Sequence, residues 1–205
     1  MSATALNPAK TLEKKIKKST ERLFTIEEYY KREDKSLHKH EYHNGKIILM
    51  PGSKLKHNRI SSRIIAYLEI FIETNQLDFI LSTSDTKVHV ADYNKIFYPD
   101  ALVICEKPEY FEGRENTITN PTLIVEVLSM STSNFDKTTK FEMYRSLPSF
   151  KEYVLVYQDR EQVTVWTKQN DGSWLPKDYV GLESTAIFNV INNCPIELKR
   201  LYKGL

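Results

Sequence analysis

Apolar residues recur at helical spacing in two segments of the chain. Ile60, Ile64, Tyr67, Leu68 and Phe71 repeat at three- and four-residue steps, which predicts a helix over residues 53–74 with Ser53 as its N-cap. A second helix is predicted over residues 136–147, since Lys140, Met143, Tyr144 and Leu147 share one side and Pro148 follows. A short helix over residues 24–31 carries acidic residues in its first turn.

The remaining apolar runs are short enough for strands and are separated by turn residues. The turn signal His43-Asn44-Gly45 inside residues 41–50 predicts a hairpin or the entry to a strand. Further strands are predicted at residues 79–82, 87–90, 101–105, 123–128, 152–157 and 162–167, the last two forming a hairpin, and Trp174 begins another. Strands between two long helices predict an α/β or α+β fold, with a central sheet covered by helices.

Charge divides the chain into two regions. Residues 1–22 hold six basic and two acidic residues, a charge of +4, which leaves −2 for the rest of a chain whose net charge is +2. Residues 1–22 form a basic tail, which we interpret either as a solvated extension or as a DNA-contacting arm. Residues 23–205 are predicted to form one domain. Composition is that of an ordinary globular protein, and no apolar run approaches the roughly 18 residues of a membrane span. With no secretory signal and no paired-cysteine motif, we expect a cytoplasmic protein without membrane contact.

The most informative residues are two carboxylates in apolar strands. Glu126 stands inside Leu-Ile-Val-Glu-Val-Leu, and Asp100 directly precedes Ala-Leu-Val-Ile. A buried carboxylate costs several kcal/mol unless it is paired, hydrogen-bonded or bound to a cation. A salt bridge or exposure at a strand end would satisfy an isolated Glu126. Together with Asp100 on a neighbouring strand, it could instead bind Mg²⁺, with Lys140 stabilising charge from the following helix.

These residues occur in an ordered series that resembles a known family. Tyr98-Pro99-Asp100 followed by Glu126-Val127-Leu128 resembles the PD-(D/E)xK nuclease core. The string from Pro121 to Thr132, followed by Asp136, Lys140, Phe141 and Tyr144, resembles the Uma-type restriction endonuclease family. The similarity runs from Phe24 to Tyr202 and leaves out only the tail.

The resemblance implies a restriction-endonuclease-like fold, a mixed central sheet flanked by helices, and a metal-dependent endonuclease that hydrolyses phosphodiester bonds in DNA. It implies Mg²⁺ or Mn²⁺ held by Asp100 and Glu126. Glu41 matches an acidic residue that many members of the superfamily place on the first core helix or its edge, as a further metal ligand and catalytic residue. By analogy with the superfamily, a homodimer would suit cleavage of both strands.

One position departs from the family pattern. The usual lysine two residues after the second acid is Leu128 here. The resemblance suggests a migrated lysine, Lys140, that reaches the site from the helix. The alternatives are a catalytically inactive relative that binds nucleic acid or a protein partner, and a purely structural network of Asp100, Glu126 and Lys140.

Several other polar residues are candidates for substrate or phosphate contact. His57 is either a surface or capping group or part of the site, and Lys54 and Arg59 flank it. The hydroxyls of Ser129, Ser131, Thr132 and Ser133 read mainly as turn and cap groups. Tyr144 is either a core residue or a substrate contact. Candidate substrate contacts are therefore His57, Lys54, Arg59 and Tyr144.

Overall fold

A computed structural model of the protein describes residues 22–129 and 133–205. The predicted basic tail therefore lies outside the described residues except for Arg22, whose guanidinium is 2.7 Å from the Glu28 carboxylate. The described strands, in chain order, are β1 (His40–His43), β2 (Lys46–Leu49), β3 (Ile80–Thr83), β4 (Lys87–Val90), β5 (Lys95–Phe97), β6 (Ala101–Ile104), β7 (Thr117–Ile118), β8 (Leu123–Leu128), β9 (Glu152–Tyr157), β10 (Gln162–Lys168), β11 (Trp174–Val180), β12 (Thr185–Phe188) and β13 (Cys194–Glu197).

The helices lie between these strands. They are α1 (Ile26–Glu33), α2 (Leu55–Thr74), α3 (Ser133–Phe135), a π-helical turn (Asp136–Lys140), α4 (Phe141–Tyr144) and α5 (Leu198–Leu201), with short 3₁₀ turns at Ala91–Tyr93 and Phe111–Gly113. None of the helices in the described part of the chain is both long and apolar enough to span a membrane.

The larger sheet has six strands in the order β11-β10-β9-β8-β6-β3. Its central pair, β8 and β9, is parallel, and the other neighbours are antiparallel. Both β8 and β9 are buried along their whole length, which explains their nearly continuous apolar sequences. This mixed sheet confirms the predicted fold class.

Helices cover both faces of the larger sheet. Odd-numbered residues of β6 and β8, such as Val103 and Val125, pack with Ile64 and Leu68 of α2. Even-numbered residues of the same strands, such as Leu102, Ile124 and Leu128, pack with Phe141 and Tyr144 of α4. Because side chains alternate along a strand, Glu126 belongs to the face that α3 and α4 cover.

A second, five-stranded sheet has the order β2-β1-β5-β4-β7, which the sequence patterns did not predict. Its hairpin β1–β2 pairs His43 with Lys46, so the connection is a two-residue Asn44-Gly45 turn, and His43, which the predicted turn included, is the last residue of β1. Both turn residues have positive φ, 50° and 92°, as a type I′ turn requires. Phe97 of β5 and Val88 of β4 share a core with the larger sheet.

Three predicted helix boundaries are corrected. The long helix begins at Leu55 after Lys54, without a side-chain cap, so Ser53 is not its N-cap. The first helix spans Ile26–Glu33, where Thr25 and Glu28 form a capping box. The helix predicted over residues 136–147 begins at Ser133, passes through the π-helical turn and ends at Tyr144.

Candidate active site

The register between β6 and β8 brings Asp100 and Glu126 together. Ala101 pairs with Val125 in an antiparallel ladder, so the preceding Asp100 lies opposite Glu126. The Val127 backbone N–H donates to Asp100 Oδ2 at 2.7 Å, and the Asp100 side chain is 17% exposed. The two carboxylates thus lie side by side at one end of the sheet, one buried and one reachable from solvent.

Lys140 reaches the same place from the π-helical turn. Its ammonium lies 2.8 Å from Glu126 Oε1, 3.6 Å from Glu41 Oε1 and 3.8 Å from Asp136 Oδ1. Burial lowers the pKa of Lys140, but these three carboxylates outweigh burial and hold that pKa well above its ordinary value. Lys140 therefore stays charged, and it acts as a fixed cation and hydrogen-bond donor.

Glu126 is the most confined carboxylate of the group. Burial raises its pKa well above the ordinary value, the charge of Lys140 opposes this shift, and the nearby Asp136 and Asp100 reinforce it. The Tyr144 hydroxyl donates to Glu126 Oε1 at 3.3 Å. The carboxylates of Glu41, Glu126 and Asp136 thus surround one ammonium, and Asp100 lies opposite Glu126, so the excess of negative charge favours a further cation.

Glu41 reaches the site from strand β1, within the hairpin that the sequence predicts, and not from a core helix as in many members of the superfamily that it resembles. Its Oε2 lies 2.8 Å from His43 Nε2, and the Tyr98 backbone N–H donates to Oε1 at 3.5 Å. Burial raises the pKa of Glu41, but Lys140 and His43 more than offset this and lower it overall. The contacts of Glu41 thus place it on the Lys140 side of the site.

His57 lies in the first turns of α2, beside Asp100. Its Nε2 is 3.3 Å from Asp100 Oδ2, and its side chain is 12% exposed. Burial lowers the pKa of His57, but the hydrogen bond and charge of Asp100 raise it overall. Its buried Nδ1 has no hydrogen-bond partner among the described residues. The structure therefore places His57 beside Asp100, and its contact with substrate remains a prediction.

Two of the other predicted substrate contacts have partners within the fold. Tyr144 is completely buried and donates to Glu126, so it can position the site. Arg59 is exposed and donates to the Gly204 carbonyl oxygen at 2.8 Å. Substrate contact by either residue remains a prediction. Lys54 is exposed immediately before α2, and its phosphate contact remains a prediction.

The hydroxyl-rich segment after β8 is only partly described. Ser131 and Thr132 lie outside the described residues. The Ser133 backbone N–H donates to the Ser129 carbonyl oxygen at 2.9 Å, which belongs to the entry into α3. Because this contact joins backbone atoms, the role of the two hydroxyls remains a prediction.

The residues present fit a divalent cation through two ligands. Among residues 22–129 and 133–205, no three His, Cys, Asp or Glu side chains are arranged to hold one metal ion, so the expected trio of Asp100, Glu126 and Glu41 is not formed there. Mg²⁺ usually keeps several waters and binds through one or two carboxylates together with substrate phosphates. Asp100 and Glu126 provide such a pair of hard oxygen ligands.

His43 is a site residue that the sequence interpretation missed. It was assigned to the hairpin turn, although the turn itself is formed by Asn44 and Gly45. Residues two apart on a strand point to the same face, so the Glu41-x-His43 spacing in β1 was a usable signal. The contact between these side chains holds Glu41 at its place near Lys140.

Sequence comparison assigns this architecture to a family. The profile of Uma2, described as "Putative restriction endonuclease", matches residues 26–195. The chain belongs to the Uma2 family. The uncharacterized protein sll1609 of Synechocystis sp. is 35% identical over 171 residues, which cover 83% of this chain and 96% of that protein. A second Synechocystis protein, the uncharacterized slr1290, is 29% identical over 181 residues, 87% of this chain and 91% of that protein.

A solved structure shares the Uma2 fold with this chain. It is described as "a putative nuclease belonging to DUF820 from Anabaena variabilis" and superimposes with a TM-score of 0.69. The match covers 87% of this chain and 97% of the other, at 18% sequence identity. This similarity supports the restriction-endonuclease-like fold predicted from the sequence.

Proposed function

We propose that this Uma2 protein is a metal-dependent endonuclease that hydrolyses phosphodiester bonds in DNA, with Mg²⁺ or Mn²⁺ as cofactor. The observation that carries the proposal is the 2.8 Å contact between the Lys140 ammonium and Glu126, opposite Asp100. It supplies a lysine beside the second acid although position 128 is leucine. Family membership supports the same reaction class.

Asp100 and Glu126 would hold the metal, which when bound supplies a Lewis acid for the phosphoryl oxygens and makes water a stronger nucleophile. The Val127 N–H fixes one oxygen of Asp100, and Lys140 and Tyr144 fix one oxygen of Glu126. The protein thereby orients both carboxylates before substrate arrives.

Lys140 would act on the phosphate itself. Because it remains protonated, it can donate a hydrogen bond to the attacking water or to an oxygen on which negative charge develops. Its own position is fixed by Glu126, Glu41 and Asp136. Preorganised donors of this kind typically contribute about 10²- to 10³-fold in rate.

The test is cleavage of supercoiled and single-stranded DNA with Mg²⁺ or Mn²⁺, with an RNA strand of the same sequence alongside. Asp100→Asn and Glu126→Gln should abolish cleavage, and Lys140→Met should reduce turnover by about 10²-fold or more. Lys137→Met, a change in the same π-helical turn, is the matched control and should cleave like wild type. Unchanged cleavage in Asp100→Asn would refute the mechanism.

Leu128 favours one alternative, a catalytically inactive nuclease-fold protein that binds nucleic acid or a protein partner. The side chain of Leu128 is buried in the core beneath α4, where the usual catalytic lysine would stand. This alternative predicts no cleavage by the wild type, together with nucleic-acid binding in EDTA that survives Asp100→Asn. The same set of purified proteins distinguishes the two functions.

A further inference from the structure

A polar cavity of about 370 Å³ is lined in part by Tyr98, two residues before Asp100 along the chain. It is bounded by the end of α1, the segment that leads into β1, and the start of β4. Its lining includes Lys87, Lys39, Tyr98 and Asn116. None of the residues proposed above for metal binding or catalysis lines it, so it is a separate feature of the fold.

Lys87 is the unusual residue of this cavity, because it is buried and charged without an ion-pair partner. The residue is only 3% exposed. Its ammonium lies 5.1 Å from the centre of the Tyr98 ring and 5.9 Å from that of Tyr30. No carboxylate in the described part of the chain lies within ion-pair distance of its ammonium. Burial lowers the pKa of Lys87, and the more distant charges of Glu33 and Asp34 oppose that shift.

The ammonium of Lys87 faces the cavity. Among the described residues, His57 Nδ1 is the one side-chain polar atom that is both fully buried and without a hydrogen bond. The Lys87 ammonium is therefore not such an atom. The Lys87 ammonium also has no hydrogen bond among those residues, so the small exposure of the residue must include this group. It therefore opens into the cavity that Lys87 lines.

The acidic residues around the cavity already have partners of their own. The Glu33 carboxylate accepts from the Tyr98 hydroxyl at 2.7 Å and from the His40 backbone at 2.9 Å. Asp34 lies 3.1 Å from Arg114, and Asp85 lies 2.6 Å from Lys39. Asp34 and Asp85 are thus ion-paired and Glu33 is hydrogen-bonded, while Lys87 lines the cavity without an ion pair in the described part of the chain.

We propose that this cavity binds a phosphate group of a nucleotide, with the Lys87 ammonium as the counter-charge. An unpaired buried lysine costs several kcal/mol, and an anion in the cavity would remove most of that cost. Lysine binds phosphate as a point charge with three donors, and the amide of Asn116 lines the same cavity.

The cavity is placed to serve the proposed nuclease. The Tyr98 ring lines it, the Tyr98 N–H faces Glu41, and Asp100 follows two residues later. A phosphate bound there would belong either to the strand being cleaved or to a free or terminal nucleotide. The first source rests on the proposed function, whereas the second does not.

The experiment is calorimetric titration in EDTA with three probes: inorganic phosphate, a deoxynucleoside 5′-monophosphate, and a short single-stranded oligonucleotide without terminal phosphates. Lys87→Met should weaken binding of at least one phosphate probe by about tenfold or more, the loss expected for one charge-assisted hydrogen bond. Loss with the oligonucleotide alone assigns the site to the strand, and loss with the monophosphate assigns it to a terminal or free nucleotide.

The matched control is Lys177→Met, which removes an exposed lysine that also lies over a tyrosine ring, that of Tyr179 at 5.0 Å. It should bind every probe like wild type. Equal binding by Lys87→Met and wild type, or no binding by wild type at millimolar probe, would overturn the proposal. Because EDTA prevents cleavage, the result is independent of whether the protein is an active nuclease.

Thermal unfolding gives a second readout. Without ligand, Lys87→Met should be at least as stable as wild type, because it removes an uncompensated buried charge. Phosphate should raise the melting temperature of wild type and of Lys177→Met, but not that of Lys87→Met. A large loss of stability in ligand-free Lys87→Met would show that Lys87 is compensated within the fold, and would also overturn the proposal.

Discussion

Replacing Lys140 by methionine tests whether its ammonium is the counter-charge that permits three buried carboxylates. The ammonium lies 2.8 Å from Glu126, 3.6 Å from Glu41 and 3.8 Å from Asp136. Methionine keeps an unbranched chain that fills much of the same space but carries no charge. The change therefore leaves the carboxylates buried without their cation, and we expect a large loss of stability.

The magnitude follows from the distances. At an effective dielectric constant of about 20, unit charges attract by about 6 kcal/mol at the shortest of these separations and by about 4 to 5 kcal/mol at each of the others. Desolvation of the ammonium offsets much of this sum. The variant can also protonate one of the three carboxyl groups, which costs about 5 kcal/mol at about pH 8 and sets an upper limit on the loss of unfolding free energy. We therefore expect Lys140→Met to lose about 3 to 5 kcal/mol of unfolding free energy.

The assay is urea unfolding in EDTA, followed by circular dichroism. Lys137→Met is the matched control, and it should lose less than about 1 kcal/mol, as partly exposed substitutions away from buried networks usually do. The double variant Lys140→Met/Glu126→Gln should recover a large part of the loss, because it also removes the nearest uncompensated charge. A loss below about 1 kcal/mol in Lys140→Met, or no recovery in the double variant, would refute this account of the site.

Three further substitutions test individual hydrogen bonds and one turn of the fold. Tyr144→Phe should cost about 1 kcal/mol in urea unfolding, because it removes one hydrogen bond to Glu126 while keeping the buried ring. Glu152→Gln should cost roughly 2 to 4 kcal/mol in the same assay, because Glu152 accepts four hydrogen bonds from residues 167, 189 and 190, and an amide NH₂ would face one of these donors. Gly45→Ala should cost roughly 1 to 3 kcal/mol, because φ is 92° and a Cβ would lie 2.9 Å from Leu23.

The sequence predicted the elements that depend on local pattern. The periodicity of α2, the apolar runs of β8 and β9, and the Asn44-Gly45 hairpin each specify one structure through spacing or turn chemistry. Their positions then placed Asp100 and Glu126 on neighbouring strands and Lys140 on the following helix.

The parts that were missed depend on contacts between distant segments. Strands β5 and β7 have three and two residues, too few for an alternating pattern to be read. The segment after β12 is held by Glu152, whose carboxylate accepts from the backbone N–H groups of residues 189 and 190. A contact between one buried carboxylate and a distant segment leaves no periodic signal in the sequence.

The position of the lysine shows why spacing alone could not settle the site. Residues 126 and 128 of β8 point to the same face of the sheet. A lysine at position 128 would therefore have to share the space between this face and the covering helix with Lys140, which extends from that helix. Leu128 instead joins the apolar core there with Phe141 and Tyr144. This packing holds the helix against the sheet and lets the π-helical turn carry Lys140 to Glu126. The leucine and the displaced lysine are therefore two parts of one arrangement, which becomes visible only when the helix is docked on the sheet.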